Sequence, residues 1–263
     1  MSSLCRFLTL AALVFSPAAT WAQDDIAGIP AQDLTVANQP QQRFFLIGDT
    51  SKAPAAGSGL LLVLPGGDGS AEFHPFVKRI YANALPEGYV VAQLVAVPSQ
   101  NQRQIVWPTA KSKDPKQAFT TESFVANVVS EVKAKHKVDD GRVFTLSWSS
   151  GGPAAYAASL TKDTPIKGSL VAMSVYPSQS LPPIAGAKGQ RYYLLHSPQD
   201  KVCPYFHAKL AKKVLGNAGA EVQLADYEGG HGWMGDVFGN IMAGIEWLQT
   251  PHENASTTKP ATK

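Results

Sequence analysis

Little of this sequence is charged, cysteine is scarce, and apolar runs are short. Two cysteines in 263 residues, Cys5 and Cys203, cannot build a disulfide scaffold. Charged residues make up 16% of the chain, 23 basic against 20 acidic, for a formal net charge of +3. With no Lys/Arg cluster to compensate, that balance leaves no electrostatic footprint for nucleic acid. No apolar run approaches the roughly 20 residues that span a bilayer. What is present is a 44% apolar share, enough to fill one core of ordinary size. The composition therefore points to a single mixed globular domain.

The first 22 residues stand apart. Arg6 follows a short polar start, and Phe7 to Phe15 (FLTLAALVF) is a nine-residue apolar stretch broken by Pro17. Ala18 to Ala22 (AATWA) then supplies small residues before a cleavage point. This is the three-part layout of a secretory signal peptide, too short for a membrane anchor. It predicts cleavage after Ala22 and a secreted or periplasmic protein that keeps one cysteine, Cys203. At the other end, Pro251 to Lys263 (PHENASTTKPATK) is polar without apolar periodicity and is expected to be a disordered tail. A single domain over residues 23–250 remains.

That domain alternates strand and helix patterns. Arg43–Gly48, Gly59–Pro65, Tyr89–Val97, Arg142–Ser147, Ser169–Val175, Arg191–His196 and Glu221–Tyr227 are short apolar or alternating runs and predict strands. Between them, Phe73–Leu85, Phe124 to about His136, Ser150–Leu160, Pro204–Leu215 and Met234–Leu248 carry helical spacing. Several strands are nearly unbroken apolar runs, as expected where helices cover both faces of a parallel sheet. The predicted fold class is α/β, with a mostly parallel central sheet and helices on both faces.

The residues with chemical potential gather after three strands. In Ser147-Trp148-Ser149-Ser150-Gly151-Gly152, a serine on a sharp strand–turn–helix corner needs small residues two before and two after it. Ser149 meets that condition with Ser147 and Gly151. Ser150 would put Trp148 at a crowded position, and Ser147 fits less well, with Thr145 and Ser149. An ordinary Ser/Gly loop capping the next helix is the plainer alternative. In Pro65-Gly66-Gly67-Asp68-Gly69-Ser70, backbone N–H groups can face a developing oxyanion. Gly67 and the N–H of Ser150 would make such a pair of donors. A flexible surface turn is the plainer reading, and a phosphate cradle would need the P-loop lysine this segment lacks. Asp200, in His196-Ser197-Pro198-Gln199-Asp200, and His231, in Gly229-Gly230-His231-Gly232-Trp233, complete an order of serine, acid, histidine. Imidazole is the side chain able to exchange a proton near neutral pH, while a carboxylate orients it.

On these motifs the chain resembles the phospholipase/carboxylesterase-type serine esterases of the α/β-hydrolase superfamily. The likeness spans roughly Gly59 to Leu248 and is strongest in VAMSVYP (Val171–Pro177), YLLHSPQDKVCP and YEGGHGW (Tyr227–Trp233). The resemblance implies an α/β-hydrolase fold with Ser149, Asp200 and His231 as catalytic residues and Gly67 and Ser150 as the oxyanion hole. It implies ester hydrolysis through an acyl-enzyme, with no metal and no organic cofactor. Two positions depart from the family pattern: Pro65-Gly66 stands where His-Gly is usual, and Ser147 where Gly is usual.

Other residues are left over. His196, Asp200, Cys203 and His207 contain metal-ligating types, but Pro204 is expected to open a helix with Cys203 at its cap. That spreads the four around a strand end and a helix start, an awkward arrangement for one tetrahedral centre. Cys203 is best placed as a small buried filler. Trp107, Trp148 and Trp233 lie beside loops or candidate catalytic residues and are candidates for lining a substrate pocket, against a plain packing role; of the three, pocket lining is favoured only for Trp148 and Trp233. The segment before the acid's strand, Tyr176–Gln190, has fifteen Pro- and Gly-rich residues, too few for a cap domain. The Pro98–Phe119 loop, with Trp107 and Pro108, is expected to wall an open site suited to a small-molecule or exposed polymer-borne ester. The same residues would also serve a peptidase or amidase, and a hydrolase scaffold kept only for binding is the alternative outside catalysis.

Overall fold

The computed structural model describes residues 23–97, 105–112 and 117–250. The expected signal peptide and tail lie outside these residues, as do parts of the Pro98–Phe119 loop.

One eight-stranded sheet organises the chain, in the order β1-β2-β4-β3-β5-β6-β7-β8. Its strands are β1 (Ala31–Val36), β2 (Gln39–Ile47), β3 (Ser58–Leu64), β4 (Tyr89–Leu94), β5 (Val138–Trp148), β6 (Gly168–Ala172), β7 (Arg191–His196) and β8 (Glu221–Asp226). β1 runs antiparallel to β2 and β2 antiparallel to β4. Every pairing from β4 through β3 to β8 is parallel.

The helices are α1 (His74–Ala84), α2 (Thr121–Lys135), α3 (Gly152–Leu160), α4 (Phe206–Asn217) and α5 (Val237–Gln249). Strand side chains alternate between two buried faces. Leu61, Val63, Val91, Leu146 and Leu170 meet Val77 and Ile80 of α1 and Ile241 and Ile245 of α5. The neighbouring positions Leu60, Leu62, Val90 and Val143 meet Phe124, Val125, Val128 and Val132 of α2 with Ala154 of α3. Val171, Tyr192 and Leu194 continue that second face against α3 and α4. Burial on both sides is why β3, SGLLLVL, could afford an unbroken apolar run. The apolar i, i+4 rows of α2 begin at a capping box. Thr120 Oγ1 accepts from Ser123 N–H, and Ser123 Oγ accepts from Thr120 N–H.

The sheet reverses its winding at β3. The chain leaves β3 through α1 to reach β4 on one side, then crosses by α2 on the opposite face to reach β5 on the other. The carboxyl ends of β3 and β5 therefore flank a crevice, the place where open α/β sheets bind ligands. Between β6 and β7, residues 173–190 hold only two short 3-10 turns, Ser178–Ser180 and Ile184–Ala187, and no cap domain. Among the described residues, no helix is long and apolar enough to cross a membrane.

β1, which carries no apolar run, is an addition to the strands expected from the sequence, and one expectation needs correction. The helix expected from Pro204 instead starts at Phe206, behind Tyr205 as its N-cap. Residues 201–205 are held in a turn because Asp200 Oδ1 accepts the N–H groups of Val202 and Cys203, both at 2.8 Å. Cys203 is thus part of the acid's turn and not of a helix cap.

Candidate active site

β5 ends in extended backbone at Trp148, and the next residue, Ser149, takes φ +48°. That left-handed conformation is unusual for a residue other than glycine. A 3-10 turn over Ser149–Gly151 then leads straight into α3. The corner is supported from behind: Ser174 Oγ donates to Ser149 O at 2.7 Å. Gly151 is required by contact, since a Cβ there would lie 2.2 Å from Leu64 O on β3. Ser147 is fully buried beneath the corner.

Asp200 follows β7 with its side chain out of contact with solvent. His231 follows β8 in a loop whose neighbours Gly229, Gly230 and Gly232 all have positive φ. Tyr227 Oη donates to Gly230 O at 2.9 Å, and Gly230 N–H donates to Ser197 Oγ at 3.0 Å, fixing that loop against the end of β7. The outcome is a chain of two contacts. His231 Nδ1 lies 2.8 Å from Asp200 Oδ2, and His231 Nε2 lies 3.1 Å from Ser149 Oγ. A carboxylate only accepts, so Nδ1 carries the proton and Nε2 presents its lone pair to the serine hydroxyl. An imidazole so placed can take a proton from that hydroxyl while the carboxylate stabilises the imidazolium.

Electrostatics keep Asp200 ionised. Burial pushes its carboxyl up, but the His231 hydrogen bond and the N–H groups of Cys203 and Val202 together hold it below the usual carboxylate value. Burial also depresses His196, which sits against the acid, against the opposing effect of its hydrogen bond to Cys203 O. His196 is therefore neutral and donates from Nε2 to that carbonyl at 2.7 Å. The Cys203 thiol is pushed up to about 11 by burial and by the Asp200 charge, and remains a protonated filler.

Gly67 and Ser150 face the same crevice. Gly67 adopts φ +59° in the turn after β3, and Ser150 Oγ donates to Gly67 O at 2.8 Å. The hydroxyl of the residue after Ser149 thus clamps the glycine turn to the head of α3.

The tryptophans separate. Trp148 is 5% exposed and belongs to the core, edge-on to Phe73, Phe76 and Trp233. Trp233 is half-buried, and its indole packs on Phe76 and Trp148. Trp107, 3% exposed, donates from Nε1 to Pro65 O at 2.9 Å and lines a cavity that also touches Ser150.

The mixed ligand cluster is not assembled as spelled out in the sequence. His207 Nδ1 accepts from Tyr176 N–H at 3.3 Å, so it is turned to a different segment. Among the described residues, Asp200, Cys203 and His231 bring ligand atoms within 4.8 Å of one another. Both Asp200 oxygens are already engaged, Oδ1 by the N–H groups of Val202 and Cys203 and Oδ2 by His231 Nδ1. Sequence reasoning missed Ser174, Ser197, Tyr227 and the Ser150 hydroxyl; all but Tyr227, whose partner Gly230 lies three residues on, act across a distance in the chain that no local motif encodes.

Comparison with known proteins bears on the family and the fold. The sequence model of a family described as phospholipase/carboxylesterase matches residues 106–248, more than half of the chain. The match includes Ser149, Ser150, Asp200 and His231 and begins after Gly67. No curated protein sequence matches the chain. Among solved structures, an α/β-hydrolase from a Medee basin deep-sea metagenome library is similar at TM-score 0.60 and 14% identity, covering 84% of this chain and 97% of its own. A thermophilic esterase of Thermogutta terrifontis with propionate bound gives 0.62 and 14%, covering 85% and 94%. The Bacillus cereus carboxylesterase gives 0.55 and 15%, covering 84% and 94%.

Proposed function

Because the chain belongs to the phospholipase/carboxylesterase family of α/β-hydrolases, we propose that it cleaves carboxylic esters through an acyl-enzyme on Ser149. Ser149 Oγ attacks the ester carbonyl as His231 Nε2 takes its proton, and Asp200 holds the imidazole in the required tautomer. The N–H groups of Gly67 and Ser150 stabilise the oxyanion of the tetrahedral intermediate. When that intermediate collapses, His231 returns the proton to the departing alcohol and the acyl group stays on Ser149. Water then attacks the acyl-enzyme, gives its proton to His231, and releases the acid with Ser149 restored. No step requires a metal or an organic cofactor.

The observation that carries this reading is the continuous pair of contacts, 3.1 Å and 2.8 Å, joining Ser149 to His231 and His231 to Asp200. Turnover of p-nitrophenyl acetate by the wild type and by Ser149→Ala tests it. The variant should lose at least about a thousandfold in kcat. Retained turnover in Ser149→Ala, abolished by a chelator, would overturn the serine mechanism.

Two features support a small or polymer-borne ester. The short segment between β6 and β7 builds no cap over Ser149. The low charge of the chain gives no field to gather a strongly anionic substrate. Export rests on the layout of residues 1–22, and an N-terminus at Gln23 in protein recovered outside the cytoplasm is the expected result.

A further inference from the structure

The Ser149 carbonyl and the Ser150 N–H belong to one peptide unit, planar and trans, so they point in opposite directions. Ser149 O points into the protein, where it accepts from Gly152 N–H at the start of α3 and from Ser174 Oγ at 2.7 Å. Ser174 is 4% exposed, so this bond is shielded from water. Its other contact, to Val175 O, is 3.5 Å long and too weak to compete for the one hydroxyl proton.

The chain on either side is shaped to this contact. Ala172 at the end of β6 pairs with Trp148, and Met173 then takes φ +40°. A left-handed methionine is strained, and such strain persists only where its surroundings hold it. Met173 is fully enclosed, donates its N–H to Leu195 O at 2.8 Å and lays its sulfur 3.7 Å from Tyr227 Oη. Opposite, Gly152 leaves the space that the hydroxyl fills, since a Cβ there would lie 2.1 Å from Ser174 Oγ.

We propose that Ser174 is a positioning residue for the oxyanion hole, fixing and polarising the peptide whose N–H, at Ser150, meets the developing oxyanion. The inference rests on the serine-esterase reading and deepens it. A donor on the carbonyl draws electron density from the amide nitrogen of the same peptide, and the N–H becomes a stronger donor. The gain is small while the substrate carbonyl oxygen is neutral and largest when that oxygen carries the negative charge. It therefore belongs to kcat and leaves KM nearly alone.

Turnover of p-nitrophenyl acetate and binding of an alkyl trifluoromethyl ketone test this in the wild type, Ser174→Ala and Ser174→Cys. Ser149 Oγ adds to the ketone carbon, its proton passes to His231, and the carbonyl electron pair moves onto the oxygen, which takes the oxyanion's place. Alanine should lower kcat about tenfold with KM little changed, short of the hundredfold or more lost with an oxyanion donor itself. The pH at which the bound hemiketal oxygen ionises, read by fluorine NMR, should rise by about one pH unit, the same tenfold loss seen in proton binding. Cysteine, a weaker donor, should fall between the two and supplies the comparison if alanine does not fold. In folded variants, an unchanged kcat, or a lowered kcat with the hemiketal ionising at the wild-type pH, would overturn the role of Ser174 while leaving the serine mechanism standing. Wild-type protein that neither turns over the ester nor forms the hemiketal would overturn the serine mechanism, and this inference with it.

Discussion

Ser150 illustrates how much one side chain contributes beyond its motif. Its backbone N–H is a proposed oxyanion donor, and alanine at this position would keep that N–H. What alanine removes is the hydroxyl that ties Gly67 O to the head of α3 at 2.8 Å. A hydrogen bond of this kind is worth about 0.5–1.5 kcal/mol. If it positions the Gly67 turn for the transition state, most of that loss appears in catalysis. Ser150→Ala should therefore lower kcat up to about tenfold, with KM little changed. Threonine, which restores the hydroxyl, should recover part of the loss. An unchanged kcat in Ser150→Ala would show that the turn holds its place without the clamp. Ser149, Asp200 and His231 were legible in the sequence because each sits in a short Ser-, Pro- or Gly-rich segment directly after a strand pattern. Ser174 was not. Its hydroxyl reaches Ser149 O only because β6 lies beside β5 in parallel register, pairing Trp148 with Ala172.

At the scale of elements, the corner between β5 and α3 depends on how closely α3 approaches β3. Gly151 is buried at that contact, where an added Cβ would meet the carbonyl oxygen of Leu64 at 2.2 Å and could only be accommodated by moving backbone. Gly151→Ala should destabilise the fold by about 1–3 kcal/mol, read as a shift in urea midpoint, and should lower activity by displacing Ser149. Wild-type stability in this variant would mean the two elements can separate freely. Elements hidden by helices on both faces were the readable ones, because double burial forces an apolar run. β1 (AQDLTV) is an edge strand with mostly exposed side chains, and nothing in its composition distinguishes it from a loop. The false start of α4 has a comparable cause. Pro204 is a good first-turn residue, but the Asp200 carboxylate captures the backbone N–H groups just before it and sets a turn there instead.

For the molecule as a whole, burial of neutral histidines couples stability to pH. Desolvation lowers His196, and it lowers His74 as well, against the opposing hydrogen bond each makes. His74 meets Gln93 Oε1 at 3.1 Å. An unfolded histidine titrates near pH 6.5, so below about that pH the unfolded chain binds protons that the folded chain excludes. The stabilisation is complete above about pH 6.5 and is lost as pH falls toward the depressed folded values. Asp200, also held low, adds a further loss only below about pH 4. The urea midpoint should decline between pH 7.5 and 5, and His196→Gln, which keeps an N–H donor for Cys203 O, should flatten that decline. The same slope in wild type and variant would contradict a neutral buried His196.

The central claim is that Ser149 is a nucleophile activated by His231 and Asp200, and covalent labelling measures this most directly. Intact protein treated with a fluorophosphonate should gain one adduct, which peptide mass spectrometry should locate on Ser149. Labelling should be lost in Ser149→Ala and slowed by at least about a hundredfold in His231→Ala. Folded wild-type protein that takes up no label, or takes it up on a residue other than Ser149, would contradict the account.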